Sequence, residues 1–307
     1  MKILVTGGLG MMGYNFFQWL RRYDPEVLIQ TYDLASGQDI LNFDQLEKEI
    51  EGKDLVIHMA ALTHVDKSTD NPIPFYQINT VGTATVLEAC LRHKVKMIHI
   101  STSEVYGTNQ NPGVPMNEEH RLVGHSHYAA SKIGADRACM AAFLNKKQDV
   151  VILRPFNQYG FGQDVDKMIP KWINQASYGE PLTMKGDEHH EKDYLFGQDT
   201  ASAIWACKNL PAGTIVNAAT GVAYTKREIA EMIIRVVKAK NSSMVVQTVQ
   251  DRARVGALDE LLGDYSKLNK LTGWKPLVDL EMGIKLCVDW YIANGKIMPP
   301  QAYNRKG

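Results

Sequence analysis

The segment YAASKIGAD sets Tyr128 and Lys132 four residues apart at the start of a helical pattern, so both side chains emerge on one face. A phenol, with a reference pKa of about 10, is a poor base at neutral pH. A neighbouring ammonium stabilises the phenolate, and the pair can then take a proton from a hydroxyl. In isolation such a pair is an ordinary surface contact. A second polar group follows the apolar run VKMIHI at 95–100, where STSEVYG at 101–107 brings Thr102, Ser103 and Glu104 to a strand end. Glu104 is there either a base or a plain helix cap or ion-pair partner. A third stretch, VTGGLGMMG, spaces Gly7, Gly10 and Gly13 three apart between the opening strand and the first helix. Open backbone amides and the helix dipole favour a pyrophosphate at such a turn. Asp33 ends the next apolar run, 20 positions beyond Gly13. Its carboxylate can accept from both hydroxyls of an adenosine ribose and repels a phosphate there, which selects NAD over NADP. Without a ligand, the glycines make a tight turn and Asp33 a solvated carboxylate.

These residues need a scaffold, and the first half of the chain supplies an alternating one. The apolar runs KILVT, VLIQTYD, DLVIHMA, KMIHIST and DVVILRP are separated by helical patterns at 13–22, about 43–51, about 74–93 and about 128–146. Strands alternating with helices pair in parallel, because each crossover helix returns the chain to the same end of the sheet. The fold class is α/β: a doubly wound, Rossmann-type parallel sheet with a smaller C-terminal α/β domain. After Arg154 the pattern changes, with RPFNQYGFGQ rich in Gly and aromatic residues and a helix near 167–178. TIVNAAT at 214–220 returns to the large sheet. The expected units are 1–155 plus about 194–218, and about 156–193 plus 219–307.

At 307 residues the chain is long enough for two modest domains, and 34 basic residues balance 34 acidic ones. Global charge thus points away from nucleic acid and anionic membranes and toward a small partner. Cys90, Cys139, Cys207 and Cys287 lack zinc-site spacing and are read as reduced packing residues. No leader and no membrane span is expected, which places the protein in the cytoplasm. His189 and His190 in DEHHEKD are not read as metal ligands, since sequential neighbours rarely point at one ion. Met11 and Met12 are read as packing residues.

The glycine loop, STSEVYG and the Tyr128/Lys132 pair together resemble the extended short-chain dehydrogenases, the nucleotide-sugar epimerases and dehydratases. HMAALTHVDKS, NTVGTATVLEAC, RPFNQYG and LLGDYSKLNKLTGWKP also look like segments of that family, so the resemblance covers nearly the whole chain. It implies that Gly7, Gly10, Gly13 and Asp33 hold NAD, with Asp39 and Ile40 near adenine and Ala60 and Ala61 along the cofactor path. Thr102 is implied to bind the sugar hydroxyl being oxidised, Tyr128 to deprotonate it, and Lys132 to hold the nicotinamide ribose as well. Glu104 matches the carboxylate of the 4,6-dehydratases, which takes the carbon 5 proton once carbon 4 is a ketone. Ser103 is then implied in protonating the departing carbon 6 hydroxyl, although a serine is a weak acid.

A nucleotide-sugar 4,6-dehydratase supplying a deoxy-sugar precursor for a surface polysaccharide is the expected enzyme. A 4-epimerase, a UDP-glucuronate decarboxylase and a 4-keto-sugar reductase are the enzymatic alternatives. A dinucleotide-sensing regulator is the non-enzyme alternative, one with no need of Thr102, Tyr128 and Lys132. Asn157 and Arg254 match substrate-diphosphate contacts. Lys192 and Asp193 stand where the family often has Arg-Asp, so Lys192 is expected at phosphate as a point charge. The stretch 105–136 is similar to dehydratases of UDP-N-acetylglucosamine and RVGALDELLGD to GDP-mannose enzymes, which leaves the nucleotide open. The helices at 74–93 and 128–146 match those that form a four-helix-bundle homodimer in the family.

Overall fold

A computed structural model of the chain describes residues 1–240, 248–251 and 258–297. In chain order the strands are β1 (Lys2–Thr6), β2 (Leu28–Tyr32), β3 (Leu55–His58), β4 (Lys96–Ile100), β5 (Val150–Pro155), β6 (Asn157–Tyr159), β7 (Leu182–Lys185), β8 (Glu191–Phe196), β9 (Ile215–Ala218), β10 (Ala223–Thr225), β11 (Thr248–Asp251) and β12 (Glu260–Leu261). A six-stranded sheet runs in the order β2-β1-β3-β4-β5-β9 with every pair parallel. β3 and β5 are buried along their whole length. They read as unbroken apolar runs because helices cover both faces of a parallel sheet. Alternate residues along each strand enter two different cores. Ile3, Val5, Ile57 and Ile98 pack with Phe16, Leu20 and Ile204, whereas Leu4, Val56, Met97 and Ile152 pack with Val86, Cys90 and Cys139.

β2 lies on one side of β1 and β3 on the other, so strand order reverses at β1. The C-terminal ends of β1 and β3 therefore flank a crevice, the place where open α/β sheets bind ligands. The helix expected over about 74–93 is present, with one difference. Its α-helical parts, Ile73–Phe75 and Thr83–His93, flank a π-helical segment, Tyr76–Gly82. A 3.6-residue period carries no sign of that wider turn.

β8 is the centre of a smaller sheet, antiparallel to β10 and parallel to β6 and β12. β7 and β11 form a separate parallel pair. The helices Met168–Ser177, Lys226–Lys240 and Leu280–Ala293 contribute Trp172, Ile229, Ile233, Ile284 and Tyr291 to a core of their own. The sequence reading returns the chain to the large sheet at about 194, but β8 stays in the smaller sheet through Phe196. The return begins with the helix Gly197–Ala206. A Cβ on Gly197 would lie 2.7 Å from Cγ of Asn15, so only glycine lets this helix approach the helix Met11–Tyr23 so closely. The four cysteines are buried with free thiols. Among the described residues no helix is long and apolar enough to cross a membrane.

Candidate active site

The glycine loop leaves β1 at Gly7, whose φ of +70° suits glycine and whose added Cβ would fall 2.6 Å from the Ala60 backbone. Gly13 is pressed against the backbone of Gly8, where no side chain fits. The helix Met11–Tyr23 has Gly10 as its N-cap and no side-chain cap, which leaves first-turn amides for an anion. Asp33 sits just after β2 with its oxygens accepting from the amides of Leu9, at 3.0 Å, and Ala35, at 2.9 Å. It thus braces the glycine loop as well as capping its own turn. The Asp39 carbonyl accepts from the Tyr32 hydroxyl, and Ile40 is buried against Gly82. The Ala60 amide donates to Thr6 Oγ1. Bare amides, close backbone approach and a strand-end carboxylate fit the pyrophosphate and adenosine of NAD.

Tyr128 and Lys132 stand on the helix His127–Lys146, whose N-cap Ser126 accepts from the Ala129 amide. The Tyr128 hydroxyl bonds to Thr102, and burial pushes its pKa up against the opposing effect of that bond. Lys132 is 2 % exposed and donates to the Ile100 carbonyl at 2.7 Å. Burial lowers its pKa to about 8, with the charge of Asp136 opposing.

Behind Lys132 lies a buried polar chain that sequence reasoning missed. His99 Nε2 is 3.4 Å from Lys132 Nζ and 3.6 Å from an Asp136 oxygen. Burial and the Lys132 charge hold His99 neutral, well below its usual range. The other Asp136 oxygen accepts from Arg154 at 2.9 Å, Arg154 donates to the Tyr106 hydroxyl, and that hydroxyl donates to Asn217. Asp136 follows Lys132 by four residues on the same helix, a spacing that offered a signal. Asn79, in the π-helical segment, accepts from the Leu62 amide and donates to both the Leu62 carbonyl and Ser131. It ties the loop after β3 to the residue just before Lys132.

Thr102 Oγ1 also accepts from the Glu104 amide at 3.2 Å and so starts the short helix Ser103–Tyr106. Ser103 is 1 % exposed. The Glu104 carboxylate lies 3.5 Å from Lys192 Nζ. Lys192, expected at phosphate, thus stands against the carboxylate of Glu104. Its strand neighbour Asp193 points the opposite way and accepts from Thr220 and Gly221. Asn157 donates to the Asp193 carbonyl. Arg254 lies outside the described residues.

A cleft of about 500 Å³ brings most of these side chains together. Thr102, Ser103, Glu104, Tyr128 and Lys132 line it from the first unit, and Asn157, Lys192 and Tyr194 from the second. Met11, Met12, Met59 and Ala61 also line it, whereas Gly7, Gly10, Gly13, Asp33, Asp39, Ile40 and Ala60 are outside its lining. Lys167, Lys171 and Lys226 belong to the lining, together with Asp66 and Asp166, residues that sequence reasoning had not singled out. His190 also lines it but is turned to Asp259 at 3.2 Å. Among the described residues no group of His, Cys, Asp and Glu could hold a metal ion.

The family model described as GDP-mannose 4,6 dehydratase matches residues 4–287. The chain belongs to the extended short-chain dehydrogenase family of nucleotide-sugar dehydratases and epimerases. It is 34 % identical to a dTDP-glucose 4,6-dehydratase of an Actinoplanes species, over 96 % of this chain and 98 % of that protein. The solved structure of DesIV, a dTDP-glucose 4,6-dehydratase of Streptomyces venezuelae with NAD bound, superposes with a TM-score of 0.88 at 29 % identity, covering 98 % of this chain and 99 % of that one. A UDP-glucuronic acid 4-epimerase of Bacillus cereus, solved with UDP-glucuronic acid and NAD, superposes with a TM-score of 0.87 at 27 % identity, covering 96 % of this chain and all of that one. As a member of this family the protein is an NAD-dependent enzyme acting on nucleotide sugars. Its glycine loop and its Tyr128/Lys132 pair fit that assignment.

Proposed function

We propose that the enzyme is a nucleotide-sugar 4,6-dehydratase, with dTDP-glucose as the first substrate to try because named relatives act on it. The observation that carries this reading is a carboxylate, Glu104, in the same cleft as Thr102, Tyr128 and Lys132. NAD, when bound, supplies a reversible acceptor for the carbon 4 hydride. Thr102 and Tyr128 hold the carbon 4 hydroxyl, and Tyr128 takes its proton while the Lys132 ammonium stabilises the phenolate. Once carbon 4 is a ketone, the carbon 5 proton is acidic and Glu104 takes it. Asn157 and the ammonium groups of Lys167, Lys171 and Lys226 would hold the diphosphate. Gly7, Gly10 and Gly13 would cradle the NAD pyrophosphate and Asp33 its ribose.

The test is mass spectrometry after incubation with NAD and dTDP-glucose, UDP-N-acetylglucosamine, GDP-mannose or UDP-glucuronate. Loss of water from one of them supports the dehydratase and names its nucleotide. Loss of carbon dioxide, or an isomer of unchanged mass, would replace it with decarboxylation or epimerisation.

The homodimer through the helices around 73–93 and 127–146 belongs to the same proposal. Val81 and Leu144 are 54 % and 61 % exposed, and exposed Ala84 and Ala141 keep these faces small enough for helices to approach. Sedimentation showing only monomer at micromolar concentration would reject it. Buried free thiols support a cytoplasmic location.

A further inference from the structure

Elimination across carbons 5 and 6 needs an acid as well as a base, because hydroxide is a poor leaving group until it is protonated. The side chains around Glu104 offer few acids. Ser103, beside it in the chain, is an alcohol with 1 % exposure. Tyr194 lines the cleft, but burial, with the Glu104 charge adding, pushes its phenol up and makes it a weaker donor. Thr102 is engaged with Tyr128 and the Glu104 amide. His190 is paired with Asp259. Lys192 is the donor that a direct contact sets at the Glu104 carboxylate, an ammonium 3.5 Å away, with both side chains 18 % exposed at the cleft.

We propose that Lys192 is the general acid of the elimination, giving a proton to the departing carbon 6 oxygen while Glu104 takes the proton of carbon 5. The proposal rests on the dehydratase reading. Base and acid stand side by side, as two groups must if they are to reach substituents on the same side of adjacent carbons. The step balances. The carbon 5–hydrogen electron pair becomes the carbon 5–carbon 6 double bond, the carbon 6–oxygen bond breaks, and the oxygen leaves as water with the Lys192 proton. Glu104 then returns its proton to carbon 5, while the hydride taken from carbon 4 would come back from the bound cofactor to carbon 6, so the double bond is saturated and the cofactor restored. Lys192 regains one from solvent, and Tyr128 releases to solvent the one taken from the carbon 4 hydroxyl. Each turnover thus removes only water from the sugar.

Lys192→Arg and Lys192→Met separate this role from phosphate binding. A guanidinium keeps the charge facing Glu104 and can bind phosphate, yet it does not give up a proton near neutral pH. The NAD-loaded enzyme is assayed in D2O with whichever substrate the wild type dehydrates. Both variants should lose water elimination by about 100-fold or more, with KM changed by no more than about threefold. Recovered substrate should carry deuterium at carbon 5, because Glu104 still removes and returns a proton there. Full turnover by Lys192→Arg would overturn the proposal, and so would a raised KM with unchanged kcat in either variant. Should Lys192→Met melt early, Lys192→Arg decides alone. A wild type that removes water from no substrate would sink the dehydratase reading itself, an outcome distinct from a failure of Lys192.

Discussion

Two of the lysines that line the cleft, Lys132 and Lys192, are held in opposite ways. Lys132 is 2 % exposed, donates to a strand carbonyl, and is backed by His99 and Asp136 in the interior of the large-sheet unit. Lys192 comes from the smaller sheet, keeps 18 % of its side chain exposed, and meets a carboxylate of the other unit. The part of the site that handles the carbon 4 hydroxyl is thus built within one unit, around the ends of parallel strands. The part assigned to elimination is assembled across two units. A buried network fixes the geometry of the first, whereas the second depends on how the two sheets are seated against one another.

The largest effect should come from the first part. Tyr128→Phe removes the hydroxyl that meets Thr102, and turnover should fall on the order of 1,000-fold or more with little change in melting temperature. Retained turnover would take Tyr128 out of the chemistry. Next, Glu104→Gln should cut water loss by about 100-fold or more while nucleotide-sugar affinity, measured by calorimetry, changes little. Undiminished dehydration would remove the base from the second part and with it the division of labour between the two parts.

Asp136→Asn probes the buried network itself. Arg154 would keep a buried charge without its partner, so denaturant unfolding should show a loss of about 3–5 kcal/mol. The pH profile gives an independent readout. Groups around Lys132 are His99 on β4, with His58 behind it on β3, Arg154 on β5, and Asp136, Cys139 and Tyr128 on its own helix. His58, lowered to about 3 by burial, stays neutral in the working range. Lys132 loses its charge as pH rises through about 8, so kcat/KM should fall on the alkaline side. Stability moves the other way. The unfolded chain holds that proton to about pH 10.4, so between the two values it binds more protons and the contribution of Lys132 to stability rises with pH. Removing the Asp136 charge should shift the alkaline limb to lower pH; an unmoved limb would mean that Asp136 serves packing alone.

Asp33→Asn should have the smallest effect, weakening NAD by about tenfold in calorimetry while lowering stability by no more than about 1 kcal/mol. Unchanged NAD affinity would confine Asp33 to bracing Leu9 and Ala35.

Strand runs such as DLVIHMA and DVVILRP were legible because burial on both faces leaves a continuous apolar string, and Gly7 because a turn pressed on another backbone excludes a Cβ. The chain partners of the site were legible where spacing is local, as for Tyr128 and Lys132. The π-helical turn at Tyr76–Gly82 was not, since it differs from an α-helix by one residue per turn and leaves composition unchanged. His99 was missed because it reads as one polar residue inside the run VKMIHI, and only the fold shows it between Lys132 and Asp136.

By itself the sequence determined the alternation of strands and helices, the glycine loop and the side chains able to move protons, because each depends on neighbours within a few positions. Tertiary structure alone decided that β8 stays in the smaller sheet, that Asp136 is neutralised by Arg154, and that Lys192 faces Glu104. Those pairings join residues 18 and 88 positions apart in the chain. Nothing in local propensity or period encodes them; they exist because packing of the two cores brings distant charges into the same low-dielectric space, where each must find a partner.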